Sequence, residues 1–225
     1  SSYGKSDIRE PFIDIEFADG CLSTDFVYES STVTEGKKPL ATMPSSYEDN
    51  GIVDELTIVL REKEYGLKLE LHYSVFENRD VISRYSKLIN SGDSAISLVR
   101  LMSNQVDFET NDYILTTFNG GWAREMNRND FTVTAGKHVN YSYTGSSSSR
   151  ANPFVMLSKE STSEDYGDCY GFNLVYSGNH YEAVEVNTFG KTRFVQGINP
   201  QSFKFTLEPG DEFEAPEAVM TYSDK

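Results

Sequence analysis

Alternating apolar and polar residues predict β-structure in the middle of the chain. In residues 67–76, Leu, Tyr and Val alternate with Lys, Glu, His and Ser. A period of two places successive side chains on opposite faces of a strand, so this segment predicts a strand with one buried face. Residues 56–60 form a second candidate strand. The charged connection 61–66 ends in Gly, so the two segments are predicted to pair as an antiparallel hairpin.

The same pattern recurs along the chain, and no segment shows the 3.6-residue period of a helix. Residues 81–89 and 96–108 predict a second hairpin, because Asn90 and Gly92 between them tolerate the positive φ of tight turns. Further short strands are predicted at 113–118, 131–135, 154–157, 171–176, 182–187, 192–198, 203–207 and 217–222. Many short strands without intervening helices predict an all-β fold, a large antiparallel β-sandwich with no substantial helices.

The length of 225 residues fits one domain, since large sandwiches reach this size with a single core. The Ser-rich stretch 145–149 has the length of a loop, so we expect one domain over residues 1–225. The chain begins at Ser1 without Met and stops abruptly at Lys225. We therefore expect it to be a fragment of a longer protein.

The charge of the chain argues against two classes of partner. The formal net charge is −15, with 35 acidic and 20 basic residues. Nucleic acids and anionic membrane surfaces are bound by clustered Lys and Arg, so we expect neither partner. No apolar run approaches the roughly 20 residues that span a bilayer. Neutral ligands such as sugars remain compatible with this composition.

The cysteines and histidines give no indication of a metal site. Cys21 and Cys169 are too few for a secreted domain built on disulfides, which favours a reducing, cytoplasmic location, although one bridge between them stays open. His72, His138 and His180 are widely spaced and match no metal or catalytic signature, so we interpret them as surface or hydrogen-bonded positions. No metal or other cofactor is expected.

Three motifs carry a resemblance to a known family. They are Asn-Gly-Gly-Trp-Ala-Arg-Glu at 119–125, Tyr-Gly-Phe-Asn-Leu-Val-Tyr-Ser-Gly-Asn at 170–179, and Gly-Ile-Asn-Pro at 197–200 followed by Leu-Glu-Pro-Gly at 207–210. Supporting matches lie at 73–77, 80–82 and 150–154. In this order, over nearly the whole chain, they resemble the N-terminal domain of family 36 α-galactosidases.

The resemblance implies an antiparallel supersandwich that precedes a (β/α)8 barrel and a small C-terminal β domain, neither of which this chain contains. The complete enzyme would be a retaining hydrolase that removes terminal α-linked galactose from sugars such as melibiose and raffinose. Its nucleophile and its acid/base would be two aspartates of the barrel. The chain alone is then expected to be inactive, and to support the barrel, the active-site rim and the interface of a homo-oligomer, either a dimer or a tetramer.

No catalytic residue is therefore expected in this chain. Asp165 and Asp168 could be mistaken for an acid/base couple, but proximity in sequence does not establish the geometry that such a couple needs. We interpret them as solvated loop charges.

Trp122 is the only tryptophan and lies in a Gly-rich segment beside Arg124 and Glu125. A flat indole could stack on a galactose ring while the charged pair binds its hydroxyl groups, so these three residues are candidates for the rim of the substrate site. The alternative is that Trp122 packs against the barrel while Arg124 and Glu125 pair across that interface.

Asp7 and Arg9 are further candidates because of the resemblance. They lie in a segment similar to the family's Asp-aromatic-Arg-x-Pro motif, which is a candidate for reaching the active site of a neighbouring subunit in tetrameric members. Ile8 replaces the aromatic residue here, which removes a stacking group. Asp7 and Arg9 could still bind sugar, and an interface salt bridge is the alternative.

A second function stays open, namely an autonomous carbohydrate-binding module or lectin. Such modules expose several aromatic rings, whereas the alternating Tyr and Phe of this chain predict rings that lie largely in the core. If the domain instead abuts a barrel and sister subunits, we expect its surface to include an apolar patch.

Overall fold

The computed structural model describes residues 3–47, 52–201 and 203–224, which leaves residues 1–2, 48–51, 202 and 225 outside the described part. These residues form strands and turns, with no helix among them, and every strand pairing is antiparallel. The predicted all-β antiparallel sandwich is confirmed. Within the described residues no helix is long and apolar enough to cross a membrane. The assignment of residues 1–225 to one domain stays a prediction.

The strands are joined by connections of varied length, the longest of which, between β2 and β3, runs from residue 36 to residue 52. In chain order they are β1 Ile13–Glu16, β2 Val27–Glu35, β3 Val53–Glu62, β4 Leu67–Phe76, β5 Val81–Asn90, β6 Ile96–Phe108, β7 Tyr113–Gly121, β8 Arg124–Thr132, β9 Gly136–Tyr141, β10 Ala151–Lys159, β11 Cys169–Val175, β12 His180–Val186, β13 Thr192–Ile198, β14 Phe205–Leu207, β15 Glu212–Glu214 and β16 Glu217–Ser223.

The strands form two sheets. The smaller sheet has the order β1-β6-β13-β12-β9, with β14 also beside β6. The larger has the order β2-β3-β4-β5-β16-β11-β10-β7-β8, with β15 also beside β5. Apolar side chains fill the space between the sheets. Phe172 of the larger sheet stacks on Phe194 of the smaller one, with ring centroids 4.1 Å apart. Each such ring contributes about 1.5–3 kcal/mol by its burial.

Of the two predicted hairpins, the one formed by residues 56–60 and 67–76 is confirmed. The one formed by residues 81–89 and 96–108 is wrong, because β5 lies in the larger sheet and β6 in the smaller, so the connection between them crosses from one sheet to the other. β3 pairs with β4 and β4 with β5 over their full lengths. The turn at Gly66, with φ of 71°, packs against the turn that contains Gly92. A Cβ at Gly92 would lie 2.1 Å from the Tyr65 carbonyl oxygen, so this close approach of two backbones requires glycine there.

Other predictions need correction. The strand predicted at 131–135 is wrong, because β8 spans Arg124–Thr132 and the chain leaves the sheet after it. Five strands were not predicted, namely β1, β2, β8, β9 and β15. β2 is exposed at all nine positions, so it lies at the sheet edge without a buried face to produce an apolar period.

The burial along β4 also differs from the prediction. Leu67 and Leu69 are buried as expected, but Val75, on the same face, is 45% exposed. On the opposite face His72 and Ser74 are buried although they are polar. The strand therefore changes its buried face along its length.

Residues 36–47, which we call the strap, are tied to the polar face of the larger sheet. The Lys38 N–H donates to Glu55 Oε2 (3.4 Å) and the Ala41 N–H donates to Glu214 Oε2 (3.2 Å). Carboxylates of β3 and β15 thus satisfy backbone groups of a segment that lies outside the strands.

Glu217 of β16 holds the strap at two further points. It accepts a hydrogen bond from the Ser46 N–H (2.9 Å), and its Oε2 lies 2.7 Å from Lys37 Nζ. Both charged side chains are buried, and in the described part of the chain neither Lys37 Nζ nor Glu217 Oε2 has a hydrogen-bond partner elsewhere. The ion pair is therefore the polar contact on which both groups depend.

His72 lies between two carboxylates on the same face. Its Nδ1 is 3.3 Å from Glu55, its Nε2 is 3.3 Å from Glu70, and its ring stacks on Tyr85 at 4.3 Å. Burial opposes a charged imidazole, but the hydrogen bonds and charges of the two glutamates outweigh it and raise the pKa of His72. The same contact with His72 lowers the pKa of Glu70 to about 2.

We expect the stability to fall with rising pH above neutrality. Because His72 has a folded pKa above its ordinary value of 6.5, its stabilising charge is fully present below pH 6.5 and is lost as pH rises through the folded pKa. Urea unfolding at several pH values between about 6 and 9, where a histidine with a raised pKa loses its proton, tests this expectation. The variant His72→Gln should show a weaker dependence, and an equally steep one would contradict the assignment.

Candidate functional site

A β-hairpin carries the predicted rim residues. β7 and β8 pair from Ile114 with Thr132 up to Gly121 with Arg124, and the connection between them is the two-residue turn Trp122-Ala123. Trp122 lies at the tip and is 95% exposed. The motif read from sequence as a Gly-rich loop is therefore the end of a hairpin, and its indole has no packing partner within the described residues.

The backbone at the tip is unusual. A Cβ at Gly120 would lie 2.1 Å from the Arg124 carbonyl oxygen, so the two strands approach at a distance that only glycine permits. Ala123 and Met126 have φ of 61° and 59°, in the left-handed region that residues other than glycine rarely occupy. Such strain persists where the surrounding structure imposes it, and it clusters at binding sites.

The charged neighbours of Trp122 point into solvent. Arg124 and Glu125 are exposed, and they form no ion pair with each other within the described residues. Glu125 Oε1 accepts a hydrogen bond from the Ala123 N–H (2.9 Å), and Asn127 Nδ2 donates to the Arg124 carbonyl (2.6 Å). These bonds stabilise the turn and leave the Arg124 guanidinium available.

The base of the hairpin is attached to β10. Asn119 Nδ2 and the Gly120 N–H both donate to the Arg150 carbonyl, at 3.1 and 3.4 Å. The next residue, Ala151, accepts a hydrogen bond from His180 Nε2 (2.8 Å), which crosses from the smaller sheet. The hairpin is thus positioned by the contact between the sheets.

His180 belongs to a buried polar cluster with Glu182. The Glu182 carboxylate lies 2.8 Å from His180 Nδ1 and accepts from Asn140 Nδ2 (2.9 Å) and Gln196 Nε2 (3.4 Å). Burial opposes the charged imidazole, but Glu182 raises the pKa of His180, while burial raises the pKa of Glu182 itself. The contact between them therefore acts in opposite directions, because it raises the pKa of His180 and partly offsets the effect of burial on the pKa of Glu182.

A cleft beside the hairpin base was not predicted. Its volume is about 400 Å³, and its walls include Asn119, Arg150, Tyr141 and Tyr143. The two tyrosines are exposed and meet edge to face at 4.7 Å. Amide, guanidinium and aromatic groups together are suited to a sugar, whose hydroxyl groups need donors and acceptors and whose ring needs a flat apolar face.

The expectation that aromatic rings lie largely in the core is therefore wrong in part. Besides Trp122, many large rings reach the surface: Tyr3, Tyr28, Tyr47, Phe131, Tyr141, Tyr143, Tyr166, Phe189, Phe205 and Tyr222. Several of them lie in turns or on strand edges, where alternation along a strand does not determine burial.

Asp7 and Arg9 lie on the smaller sheet and bind each other. Asp7 accepts from Arg9 Nε (3.1 Å) and Nη2 (3.0 Å), and Arg193 Nη2 lies 3.0 Å from the same carboxylate. The hydrogen bonds from Arg9 lower the pKa of Asp7 to about 2. Ile8 between them is 67% exposed. The two charged residues hold the segment in place, and Ile8 is the side chain that it presents.

The structure does not bring the two groups of candidates together. The Asp7 segment is bonded to Arg193, which is opposite Glu185 in β12, whereas the hairpin base is bonded near His180. Five residues of extended strand separate Glu185 from His180, which is about 17 Å. One small ligand cannot contact both groups within a single copy of the chain.

The remaining candidates have structural explanations. Asp168 accepts a hydrogen bond from the Tyr222 hydroxyl (2.6 Å), and Asp165 is an exposed residue of the same connection between β10 and β11. Cys21 and Cys169 are free thiols. Over residues 3–47, 52–201 and 203–224, no group of three or more His, Cys, Asp or Glu side chains is arranged to hold a metal. His138 lies on β9, with its ring 6.1 Å from that of Phe131.

The known proteins that this chain resembles in sequence and in structure include several α-galactosidases. The α-galactosidase AgaA of Geobacillus stearothermophilus is 36% identical over 225 residues, and its crystal structure superposes with a TM-score of 0.97 over 100% of this chain and 31% of that one. Variants of AgaA have been solved with stachyose and with raffinose. The structure of the Lactobacillus brevis α-galactosidase is 35% identical, with a TM-score of 0.97 over 100% of this chain and 30% of that protein.

The match is confined to one part of those proteins, since this chain spans about 31% of the relatives' length. Residues 1–208 match the family described as the glycosyl hydrolase family 36 N-terminal domain. The motifs at 119–125, 170–179 and 197–200 all lie within this match. The chain therefore belongs to the family of glycosyl hydrolase family 36 N-terminal domains.

Proposed function

We propose that this chain is the non-catalytic N-terminal part of an α-galactosidase that hydrolyses terminal α-galactosides. The observation that carries the proposal is the superposition of the whole chain on solved α-galactosidases with a TM-score of 0.97, over 31% of their length. The AgaA complexes with stachyose and raffinose support oligosaccharides of this class as substrates. Below, the parent enzyme means the longer protein that would contain this chain.

The carboxylates described above are suited to structure rather than to catalysis. A retaining glycosidase needs two carboxyl groups about 5–5.5 Å apart on either side of the scissile bond. Glu55 and Glu217 hold the strap, and Glu182 is buried between the sheets with three donors. A sugar cannot reach Glu182 without separating the sheets. Bond cleavage is therefore assigned to the remainder of the parent enzyme, by two aspartates acting as nucleophile and acid/base.

The role of the chain itself is to supply contact surface. Its hairpin presents Trp122 and Arg124 beyond the body of the sandwich, and Ile8 projects from the opposite end of the smaller sheet. We assign the hairpin to the rim of the substrate site, with Glu125 bracing its turn, and the segment Asp7 to Arg9 to a contact between subunits of a homo-oligomer. Because Asp7 is already bound by two arginines, it has little capacity left to bind sugar.

Replacing Trp122 with Ala in the parent enzyme is expected to lower kcat/KM for raffinose about tenfold, the effect of one lost aromatic stacking contact. Steady-state kinetics measures this. Phe189→Ala is the matched control, because Phe189 is also an exposed ring but lies in the β12–β13 connection. An unchanged kcat/KM in Trp122→Ala, or an equal loss in both variants, would argue against the rim assignment.

Turnover of p-nitrophenyl α-galactoside tests the function as a whole. The 225-residue chain should show none, whereas the parent enzyme should hydrolyse it, because the attacking and protonating groups are expected outside this chain. Measurable hydrolysis by the chain alone would refute the proposal.

A second candidate function is an autonomous carbohydrate-binding module. The exposed rings of Trp122, Tyr141 and Tyr143 favour it. Calorimetry of the chain with galactose and with raffinose separates the two functions. A domain that completes the rim of a larger site should give no measurable heat, whereas tight binding by the chain alone would establish a module.

A further inference from the structure

The smaller sheet has an unpaired edge along β6. On one side β6 pairs with β13 through residues 102–108, and on the other it pairs with β1 only through residues 97–101. The Met102 N–H donates to the Phe12 carbonyl, and beyond it no backbone partner follows on the β1 side within the described ranges. Alternate backbone N–H and C=O groups of residues 103–108 therefore face away from β13 without a strand to bind them. We call their N–H groups the edge amides.

The larger sheet is uncovered next to this edge. Val75 and Ile82 are directly paired neighbours on β4 and β5, and both belong to the face that packs on the smaller sheet, yet they are 45% and 38% exposed. A groove of about 420 Å³ runs between them and Val106 and Phe108 of β6. The apolar face of β4 and β5 that packs on the smaller sheet elsewhere is thus exposed to solvent at the point where β6 has no neighbouring strand.

A buried cation lies at the same edge. Arg84 is 5% exposed and stacks over Tyr73, with 4.7 Å from its guanidinium carbon to the ring centroid. Its Nη1 donates to Asn104 Oδ1 (3.1 Å) and to the Gln105 carbonyl (3.0 Å), which belongs to β6. In the described part of the chain no carboxylate pairs with Arg84, and its Nε has no hydrogen-bond partner.

Arg84, Tyr73 and Gln105 also line a second cavity, of about 370 Å³, beside the same edge. A buried guanidinium is costly unless an anion or a full set of acceptors surrounds it. The one carboxylate in the lining of this cavity, Asp25, is paired with Lys5 at 3.0 Å, so the guanidinium of Arg84 has room beside it for a further acidic group.

We propose that a further β-strand of the parent enzyme pairs with the free edge of β6, covers Val75 and Ile82 with apolar side chains, and brings a carboxylate to Arg84. This inference rests on the proposed function, because it places the strand in the part of the parent enzyme that this chain does not span. The matched relatives are about three times as long as the chain, which spans 31% of them.

Hydrogen exchange of the edge amides tests the proposal. Mass spectrometry with fragmentation that resolves single amides is applied to the parent enzyme and to the 225-residue chain. In the parent enzyme the edge amides should exchange at least about 100-fold more slowly than in the chain, because a strand bond must open first. The alternate amides of β6 that bond to β13 serve as the internal reference and should differ little.

If the chain alone does not fold, comparing the edge amides with the β13-bonded amides within the parent enzyme still tests the proposal. Edge amides as slow as the β13-bonded amides support an added strand, and edge amides at the rate of free peptide overturn it. Slow edge amides in the chain alone that speed up on dilution would assign the edge to a second copy and also overturn the proposal. Hydrogen exchange does not depend on catalysis. An active parent enzyme whose edge amides exchange fast would therefore contradict this inference without contradicting the proposed function.

The carboxylate is tested by two variants of the parent enzyme. Arg84→Met removes the charge and should speed exchange of the edge amides by at least about tenfold, as expected when a buried carboxylate loses its partner. Arg84→Lys keeps the charge and should have a smaller effect. Equal effects of the two variants would show that no acidic group faces Arg84.

Discussion

Replacing Lys37 with Met is expected to lower the free energy of unfolding by about 3–5 kcal/mol, the usual result of removing one member of a buried ion pair. Lys37 and Glu217 are buried at 2.7 Å from each other. Without the ammonium group the Glu217 carboxylate would keep only the Ser46 N–H as a donor. The strap would then have to release, or the carboxylate would stay buried without a counter-charge. Urea unfolding followed by circular dichroism measures the loss.

The control is Lys38→Met, which removes the same charge from the neighbouring exposed side chain and should change stability by less than about 0.5 kcal/mol. Adding Glu217→Gln to Lys37→Met should restore much of the loss, because no uncompensated charge then remains buried. If Lys37→Met and Lys38→Met unfold at the same urea concentration, the ion pair is not what holds the strap.

Replacing Glu182 with Ala should be comparably damaging, at about 3–5 kcal/mol. The change leaves His180 Nδ1 without its carboxylate, leaves Asn140 Nδ2 and Gln196 Nε2 with only a backbone carbonyl each, and adds a cavity. Because His180 also bonds Ala151 next to the hairpin base, we expect the tip around Trp122 to lose order as well. Urea unfolding gives the first effect, and the fluorescence anisotropy of the single tryptophan reports the second.

Glu160→Ala is the matched control, since Glu160 is exposed on the surface. It should be nearly neutral, whereas Glu182→Gln, which keeps an acceptor oxygen, should lose less stability than Glu182→Ala. A loss in Glu182→Ala no larger than in Glu160→Ala would show that the cluster does not join the sheets.

Local sequence accounts for the strands that have one buried face and a recognisable turn. The hairpin of β3 and β4 is predicted because alternating Leu residues flank a charged turn that ends in Gly66. β8 escapes prediction because Arg-Glu-Met-Asn-Arg-Asn-Asp lies on an exposed edge, where backbone pairing with β7 holds the strand and side-chain burial does not. Pairing of that kind leaves no period in the sequence.

The reversal of burial along β4 has a different cause. His72 is buried beside Glu55, to which the strap binds from an earlier part of the chain, and Val75 is exposed because nothing described covers that end of the strand. Neither contact is local, so no window of sequence around residue 72 could reveal it.

The candidate site divides in the same way. The exposure of Trp122 agrees with its position beside Gly121 in a turn, and the family resemblance selects the segment. The link from His180 to Ala151 and the cleft formed by Tyr141 and Arg150 depend on strands that are distant in the chain. Those contacts follow from the packing of the sheets and could not be derived from spacing.

The location of the nucleophile tests the central assignment most directly. A fluorinated α-galactosyl fluoride should trap the covalent intermediate of the parent enzyme, and peptide mapping then identifies the labelled carboxylate. The account predicts that the label lies outside the 225 residues of this chain. A label on any aspartate or glutamate of this chain would contradict it.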